Sequence, residues 1–227
     1  MNVLITGADN PRSLGEEILR RLQIRWICKV FNIPKIRLGN VFMLKQIVDK
    51  FISSIDNQID MVVNNYAINH LSWIGETEEE DEEIIILNTM LPYWVINALV
   101  KRGDVCRVVN ILSQTYKVPQ RCTSLYCASK AAVAMMTKVM ARELAPKGWV
   151  INGLAPGKIL DTIMTEKTDK QVLELREWKA YEADKYALSL IPMGRFTTKE
   201  EVAEMVMKML EMPDYVNGSI IDMTGGV

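Results

Sequence analysis

Short apolar runs alternate along the chain with longer stretches in which apolar residues recur every third or fourth position. That is the rhythm of a parallel sheet covered by helices. Val3–Thr6 reads as a strand, and Gly15–Leu22 opens a helix with Ile18, Leu19 and Leu22 on one face. Val41–Ile55 carries a helical stripe (Leu44, Ile47, Val48, Phe51, Ile55), and Asp60–Val63 is a strand ending at Asn64-Asn65. Thr77–Val100 is predicted as one long helix bent at Pro92. Thr77 with Glu80 has the form of a capping box, and the acidic residues 78–83 suit the positive end of the helix dipole. Arg107–Leu112 is a strand, Ser124–Leu144 a helix, and Trp149–Leu154 a strand running into Ala155-Pro156-Gly157. Residues 163–191 form a charged, irregular-to-helical insertion, Glu200–Met212 a helix and Ser219–Met223 a last strand. The pattern predicts one α/β domain over residues 1–227, with no repeat and no low-complexity tract.

The chain of 227 residues is long enough for one sizeable core. Its 49% hydrophobic and 24% charged residues are an ordinary globular balance. A formal charge of −1 gives no footprint for nucleic acid or an anionic membrane. No apolar run approaches the ~20 residues of a bilayer span, and Met1–Gly7 lacks the pattern of a signal peptide. Cys28, Cys106, Cys122 and Cys127 form no Cys-x-x-Cys pair, and with one histidine in the chain no metal site is expected. Reduced thiols imply a cytoplasmic protein, with Cys127 read as a small buried hydrophobe rather than a reactive thiol.

Two places concentrate chemistry. Thr6-Gly7-Ala8 and Ser13-Leu14-Gly15 lie between a strand and a helix, where backbone N–H groups can hold a pyrophosphate. Tyr126-Cys127-Ala128-Ser129-Lys130 sets a phenol and an ammonium one helical turn apart. A tyrosine that exchanges a proton with a reacting oxygen needs its ordinary pKa of about 10 lowered. A lysine at i+4 on the same face supplies the charge to do so. With seven tyrosines and lysine at about one residue in fourteen, about half such a motif is expected by chance, so its surroundings decide. A second copy, Tyr181 to Lys185, stands in a charged segment and reads as a solvated helix face. The first has Ser113 thirteen residues earlier, at the end of the strand Arg107–Leu112.

With these motifs in that order, the chain resembles the short-chain dehydrogenase/reductase family over nearly its whole length. The resemblance implies a Rossmann-like, doubly wound parallel sheet and hydride transfer between NAD(P)(H) and a small carbonyl or alcohol. Tyr126 would be the general acid/base with Lys130 beside it. Ser113 would bond the substrate oxygen, and Asn88 would hold a water for the proton relay toward the lysine. Gly7, Ser13, Leu14 and Gly15 stand in the family's Thr-Gly-x-x-x-Gly-x-Gly loop, with two extra residues and Ser13 for the middle glycine. That expanded form is similar to the loop of enoyl-carrier-protein reductases. Asn40-Val41 matches an Asp-Val pair near the adenine, and Asn64-Asn65-Tyr66-Ala67 an Asn-Asn-Ala-Gly motif, with Tyr66 adding bulk near the cofactor. Pro156, Gly157 and Ile159 resemble the turn that receives the nicotinamide, and Thr162 the threonine on its carboxamide, one residue further along than usual. The segments 191–196, 200–203, 216–218 and 225–226 repeat the family's C-terminal signature.

Arg12, Lys29, Lys35 and Arg37, with no acidic residue closing Trp26–Asn32, imply NADP, with NAD as the alternative. Only Asn32-Ile33-Pro34-Lys35 separate Phe31 from Ile36, too few for the dozen or more residues of a parallel crossover. Either one edge strand is lost or this segment pairs differently. The family's assemblies imply a homodimer or homotetramer through Thr77–Val100 and Ser124–Leu144, whose stripe Met135, Met136, Val139, Met140 serves either that interface or the core. Residues 163–191 are expected to form a lid over a polar substrate. His70 reads as a surface-loop residue. An enoyl reductase would need its tyrosine seven positions before the lysine, where this chain has Thr123. A cofactor-binding scaffold without turnover is suggested by Ser13 and Tyr66-Ala67 and opposed by the complete Asn88, Ser113, Tyr126, Lys130 set.

Overall fold

In a computed structural model, residues 1–33, 41–77 and 79–227 are described. Six strands form one parallel sheet: β1 (Asn2–Thr6), β2 (Ile27–Phe31), β3 (Met61–Asn64), β4 (Arg107–Ile111), β5 (Val150–Pro156) and β6 (Ile220–Met223), ordered β2-β1-β3-β4-β5-β6. Between them run α1 (Leu14–Leu22), α2 (Val41–Ser53), α3 (Glu79–Arg102), α4 (Ser124–Leu144), α5 (Ile163–Arg176), α6 (Ala180–Ser189) and α7 (Lys199–Leu210).

The two-residue period of the strands sorts their side chains into two cores. Leu4, Val62, Val108 and Ile151 face α2, α3 and α4, packing with Leu44, Val48, Val95, Leu99 and Met140. Val3, Ile5, Val63, Val109 and Leu154 face α1 and α7, packing with Ile18, Leu22, Val202 and Val206. β5 is buried along its whole length, as a central strand covered on both faces must be. Edge strand β2 instead alternates, with Ile27 and Lys29 exposed.

Among the described residues the sheet ends at β2, and α2 carries the chain back across β1 to β3. The segment from Pro34 to Asn40, on which the choice between a lost edge strand and a different pairing falls, lies outside the described residues. The helices at 79–102 and 41–53 shift by a few residues from the predicted bounds, and the cap proposed for Thr77 and Glu80 falls partly outside the described residues. One expectation needs correction. From Asp81 to Arg102, α3 is long and apolar enough to cross a membrane by length and composition, at mean hydropathy 1.5. Asn88 and Pro92 break its apolar sequence. Leu91, Val95, Ile96 and Leu99 bury this helix in the core.

Candidate active site

The C-terminal ends of β1, β3 and β4 carry a row of polar side chains in register: Thr6 pairs with Asn64, and Asn64 with Asn110. Asn64 Nδ2 donates to Asn110 Oδ1 (2.8 Å), and Asn110 Nδ2 to Thr137 Oγ1 on α4 (2.8 Å). These buried amides tie the sheet to the helix that carries the phenol. Neither Asn110 nor Thr137 was singled out in the sequence, because each looks like an ordinary polar residue inside an apolar pattern.

After β1 the chain turns at Gly7, whose φ of +68° is open to glycine without Cβ strain. Asn65 clamps this turn, its Nδ2 donating to the carbonyls of Gly7 (2.8 Å) and Thr6 (3.2 Å). At Gly15 a Cβ would stand 2.1 Å from the Gly7 carbonyl oxygen and 2.6 Å from Asn65 Nδ2, so the third loop glycine is required by packing. Ser13, in place of the middle glycine, is the N-cap of α1 and accepts from the Glu16 amide (3.1 Å). Leu14 and Gly15 follow as the first two helical residues, whose amides have no acceptor within the helix. Tyr66 packs against Gly7, where a Cβ would lie 2.9 Å from Tyr66 Cβ, and burial pushes its phenol up.

Of the basic residues expected near the adenosine, Arg12 and Lys29 lie among the described residues. Arg12, at φ +64°, pairs through Nη1 with Glu166 Oε1 of α5 (2.8 Å). Its amide donates to Glu16 Oε2 (2.7 Å). The guanidinium is thus turned toward α5. Lys29 lies exposed on β2. Asn40, Lys35 and Arg37 lie outside the described residues, as does the side chain of Val41, the first residue of α2.

Tyr126 and Lys130 occupy successive turns of α4 and are both buried, at 9% and 3% exposure. Lys130 Nζ lies 5.6 Å from the Tyr126 ring centroid and donates to the Ile111 carbonyl at the end of β4 (2.9 Å). Two residues on, Ser113 caps a short 3₁₀ turn (Gln114–Tyr116). Burial pushes the Tyr126 phenol up to about 12, while a hydrogen bond with the Ser113 side chain pulls the other way. Burial brings Lys130 down to about 8. The phenol was expected to be lowered; desolvation wins because both groups lie in the same dry pocket, where each charged form is disfavoured.

Asn88 is 2% exposed on α3, and its amide makes three hydrogen bonds. Oδ1 accepts from the Ile68 amide (2.9 Å), and Nδ2 donates to the Ile68 carbonyl (2.9 Å) and to Ser129 Oγ (3.1 Å). Ser129 Oγ in turn donates to the Tyr126 carbonyl (2.8 Å). Both amide protons are thus taken. The Asn88 backbone carbonyl is an acceptor the helix leaves open for a water, because the residue four further on is Pro92, which has no N–H to give it.

On the other side, Pro156 ends β5 and Ile159 forms a bridge with Thr197. Thr162 caps α5, accepting from the Thr165 amide (3.1 Å), so its hydroxyl serves the helix. Helices α5 and α6 bury no residue and are tied down by polar contacts. Lys158 Nζ pairs with Asp169 of α5 (2.8 Å) and Asp184 of α6 (3.6 Å), over the Phe196 ring. Gln171 Oε1 accepts from the Leu71 amide (3.3 Å). Sequence reasoning passed over Lys158, whose partners lie in an insertion with no family pattern. His70 was read as a plain surface residue; it is half-exposed but pairs with the buried Asp81. Tyr181 of the second Tyr-x-x-x-Lys is 65% exposed, as expected of a solvated face. Cys127 is half-buried beside Thr123 Oγ1 (3.3 Å), not fully buried as expected. Met140 belongs to the core, whereas Met135 and Val139 are exposed.

A family model described as short chain dehydrogenase matches residues 37–173. A 3-oxoacyl-[acyl-carrier-protein] reductase of Thermotoga maritima is 31% identical over 195 residues, covering 81% of this chain and 72% of the relative. An L-2,3-butanediol dehydrogenase of Corynebacterium glutamicum is 31% identical over 201 residues, covering 82% and 78%. The structure of an NAD+-bound xylitol dehydrogenase superposes with a TM-score of 0.86 at 17% identity, covering 99% of this chain and 98% of that one.

Proposed function

The chain belongs to the short-chain dehydrogenase family, an NAD(P)-dependent oxidoreductase by that membership, and from this we propose that Tyr126, Lys130, Ser113 and Asn88 interconvert a small carbonyl compound and its alcohol. The observation that carries the reading is the meeting of phenol, ammonium and serine hydroxyl at the end of β4.

The residues fit a dinucleotide. Leu14 and Gly15 open α1 with amides that have no acceptor within the helix, next to a glycine turn held by Asn65, and Gly157 leaves space where a Cβ would stand 3.1 Å from Gln114 Oε1. When bound, NAD(P)(H) supplies or accepts the hydride. The protein moves the proton. Tyr126, protonated at neutral pH, donates to the oxygen of a ketone and takes the proton back in the reverse direction. Ser113 holds that oxygen. Lys130 stabilises the phenolate as it forms, and the Asn88 carbonyl offers a water a place from which to reload the lysine.

We favour NADP, because no carboxylate closes β2 to select a ribose hydroxyl; Arg12 would have to leave Glu166 to serve a phosphate. Gly7, Ser13, Leu14, Gly15, Asn64, Asn65, Pro156, Gly157, Ile159 and Thr162 would line the cofactor cleft, several of them as supports. Helices α5 and α6 would close over the substrate, since polar contacts without buried residues can break and re-form. The exposed Met135 and Val139 of α4 and Tyr93 of α3 suit a dimer or tetramer built on those helices. The four free thiols suit the cytoplasm.

Oxidation of NADPH and of NADH with a panel of small ketones tests the reading, with Tyr126→Phe as control. Nucleotide binding without turnover by the unaltered protein would instead favour a cofactor-binding scaffold.

A further inference from the structure

Beside the catalytic serine lies an acceptor that the chemistry above does not use. Gln114 directly follows Ser113 on the 3₁₀ turn, and its Oε1 is buried with no hydrogen-bond partner. It rests against the turn after β5, where the absent side chain of Gly157 makes room for it: a Cβ there would stand 3.1 Å from Oε1 and 3.6 Å from Thr224 Cα. Gly157 and Thr224 also line a cavity of about 200 Å³ together with Lys158, Met193, Phe196 and Met223. The turn itself is fixed at its far end, where Lys117 Nζ pairs with Asp222 of β6 (2.6 Å).

A buried acceptor without a donor is a penalty the fold leaves uncompensated, and natural structures keep few of them. The side chain has a means of relief, since the last torsion of a glutamine is broad and lets the amide swing with little strain. Gln114 follows Ser113 directly in the chain, so if Ser113 grips the reacting oxygen, a swing of the Gln114 amide away from the Gly157 turn would carry it toward the carbon beside that oxygen. An O–H on that carbon would give Oε1 the donor it lacks, and the amide N–H₂ would remain to hold the hydroxyl oxygen.

We propose that Gln114 is a specificity-determining residue that selects substrates bearing a hydroxyl next to the reacting carbonyl, so that the reaction joins α-hydroxy ketones and vicinal diols. This rests on the carbonyl-reducing reading given above. No covalent step is added to that reaction, because Gln114 only binds.

The test compares 3-hydroxybutan-2-one with butan-2-one, two ketones that differ by one hydroxyl, in the full-length protein and in Gln114→Leu and Gln114→Met. Both variants keep the side chain's bulk, and thermal unfolding and nucleotide titration report whether fold and cofactor affinity are intact. The unaltered enzyme is expected to prefer the hydroxy ketone in kcat/KM by at least ~100-fold. Either variant should lower kcat/KM for it by ~10- to 100-fold, leaving butan-2-one within ~3-fold and nucleotide affinity unchanged. Equal loss on both ketones with weakened nucleotide binding would assign the amide to the cofactor's carboxamide and overturn the proposal. Turnover of butan-2-one without preference for the hydroxy ketone would overturn it too, leaving the catalytic reading intact. Failure of the unaltered protein to reduce either ketone, with nucleotide bound, would remove both.

Discussion

Lys130 Nζ lies 5.6 Å from the centroid of the Tyr126 ring and is held there by the Ile111 carbonyl, 2.9 Å away. The helix sets the spacing and the end of β4 sets the direction, so the ammonium sits beside the phenol without being consumed by a carboxylate. The arrangement predicts a division of labour. Tyr126→Phe should lower kcat by ~10²- to 10⁴-fold, the usual share of a positioned acid. Nucleotide affinity, measured by fluorescence titration, should stay within a few-fold. A variant that still reduces ketones at the normal rate would remove Tyr126 from the chemistry.

The same pair sets a pH dependence. With the phenol at about 12 and the lysine at about 8, the phenol keeps its proton through neutral and mildly alkaline pH while the lysine loses its charge. Carbonyl reduction should therefore fall as pH rises through about 8, as the ammonium that steadies the phenolate disappears. Rate profiles from pH 6 to pH 10 on one ketone check this. A profile whose alkaline limb is unchanged in Lys130→Met would assign that limb to another group.

Stability should move the opposite way. Lys130 binds its proton less tightly in the fold, at about 8, than in the unfolded chain, near 10.5. Between those values the unfolded chain holds more protons, so stability rises with pH there and is lost as pH falls back through about 8. At neutral pH the fold thus carries a buried charge whose desolvation the bond to Ile111 offsets only in part. Lys130→Met, which keeps the stem and removes the charge, should raise Tm by a few degrees, on the order of 2–4 °C per kcal/mol for a chain this size, while turnover collapses. A lower Tm would mean that the bond to Ile111 outweighs desolvation.

The fold was legible because its cores follow two periodicities. Strand residues alternate between two helix layers, and the helices on those layers carry stripes that read plainly from the chain. Tyr126, Lys130 and Ser113 were legible for the same reason, since a strand end and a helix face fix where they point. What escaped notice depends on distant contacts. Lys158 acquires meaning only through Asp169 and Asp184, and His70 only through Asp81. The pairing of Arg12 with Glu166 was not legible, because its partner lies 154 residues further along. The phenol's pKa was misjudged because spacing shows a neighbouring charge but not the dryness around both groups.

Gly15 offers a steric test of the nucleotide end. Its missing side chain lets the start of α1 press on the β1 turn, where a Cβ would meet the Gly7 carbonyl oxygen at 2.1 Å and Asn65 Nδ2 at 2.6 Å. The first neighbour is backbone and cannot step aside cheaply. Gly15→Ala should therefore lower Tm and weaken nucleotide binding together, the latter by at least ~10-fold, about one 1.4 kcal/mol step. Unchanged binding in a folded variant would show that the amides of Leu14 and Gly15 do not face the phosphates.

Pro92 gives the sharpest separation of stability from function. It stands four residues after Asn88 inside α3, where it withholds the N–H that would otherwise satisfy the Asn88 carbonyl. Proline in a helix interior costs roughly 3 kcal/mol. Here the Asn88 side chain fastens Ile68 and Ser129 beside Tyr126, and in the proposed relay the liberated carbonyl would be the acceptor. Pro92→Ala restores the donor. The helix should tighten, raising Tm, while the carbonyl is tied up and kcat for reduction falls by ~10-fold with a changed solvent isotope effect. Asn88→Ala should instead lower both Tm and kcat, since it strips three hydrogen bonds from a buried site. If Pro92→Ala gains stability and keeps its full rate, protons reach Lys130 by a route that avoids α3, and Asn88 acts on the reaction only by fastening Ile68 and Ser129.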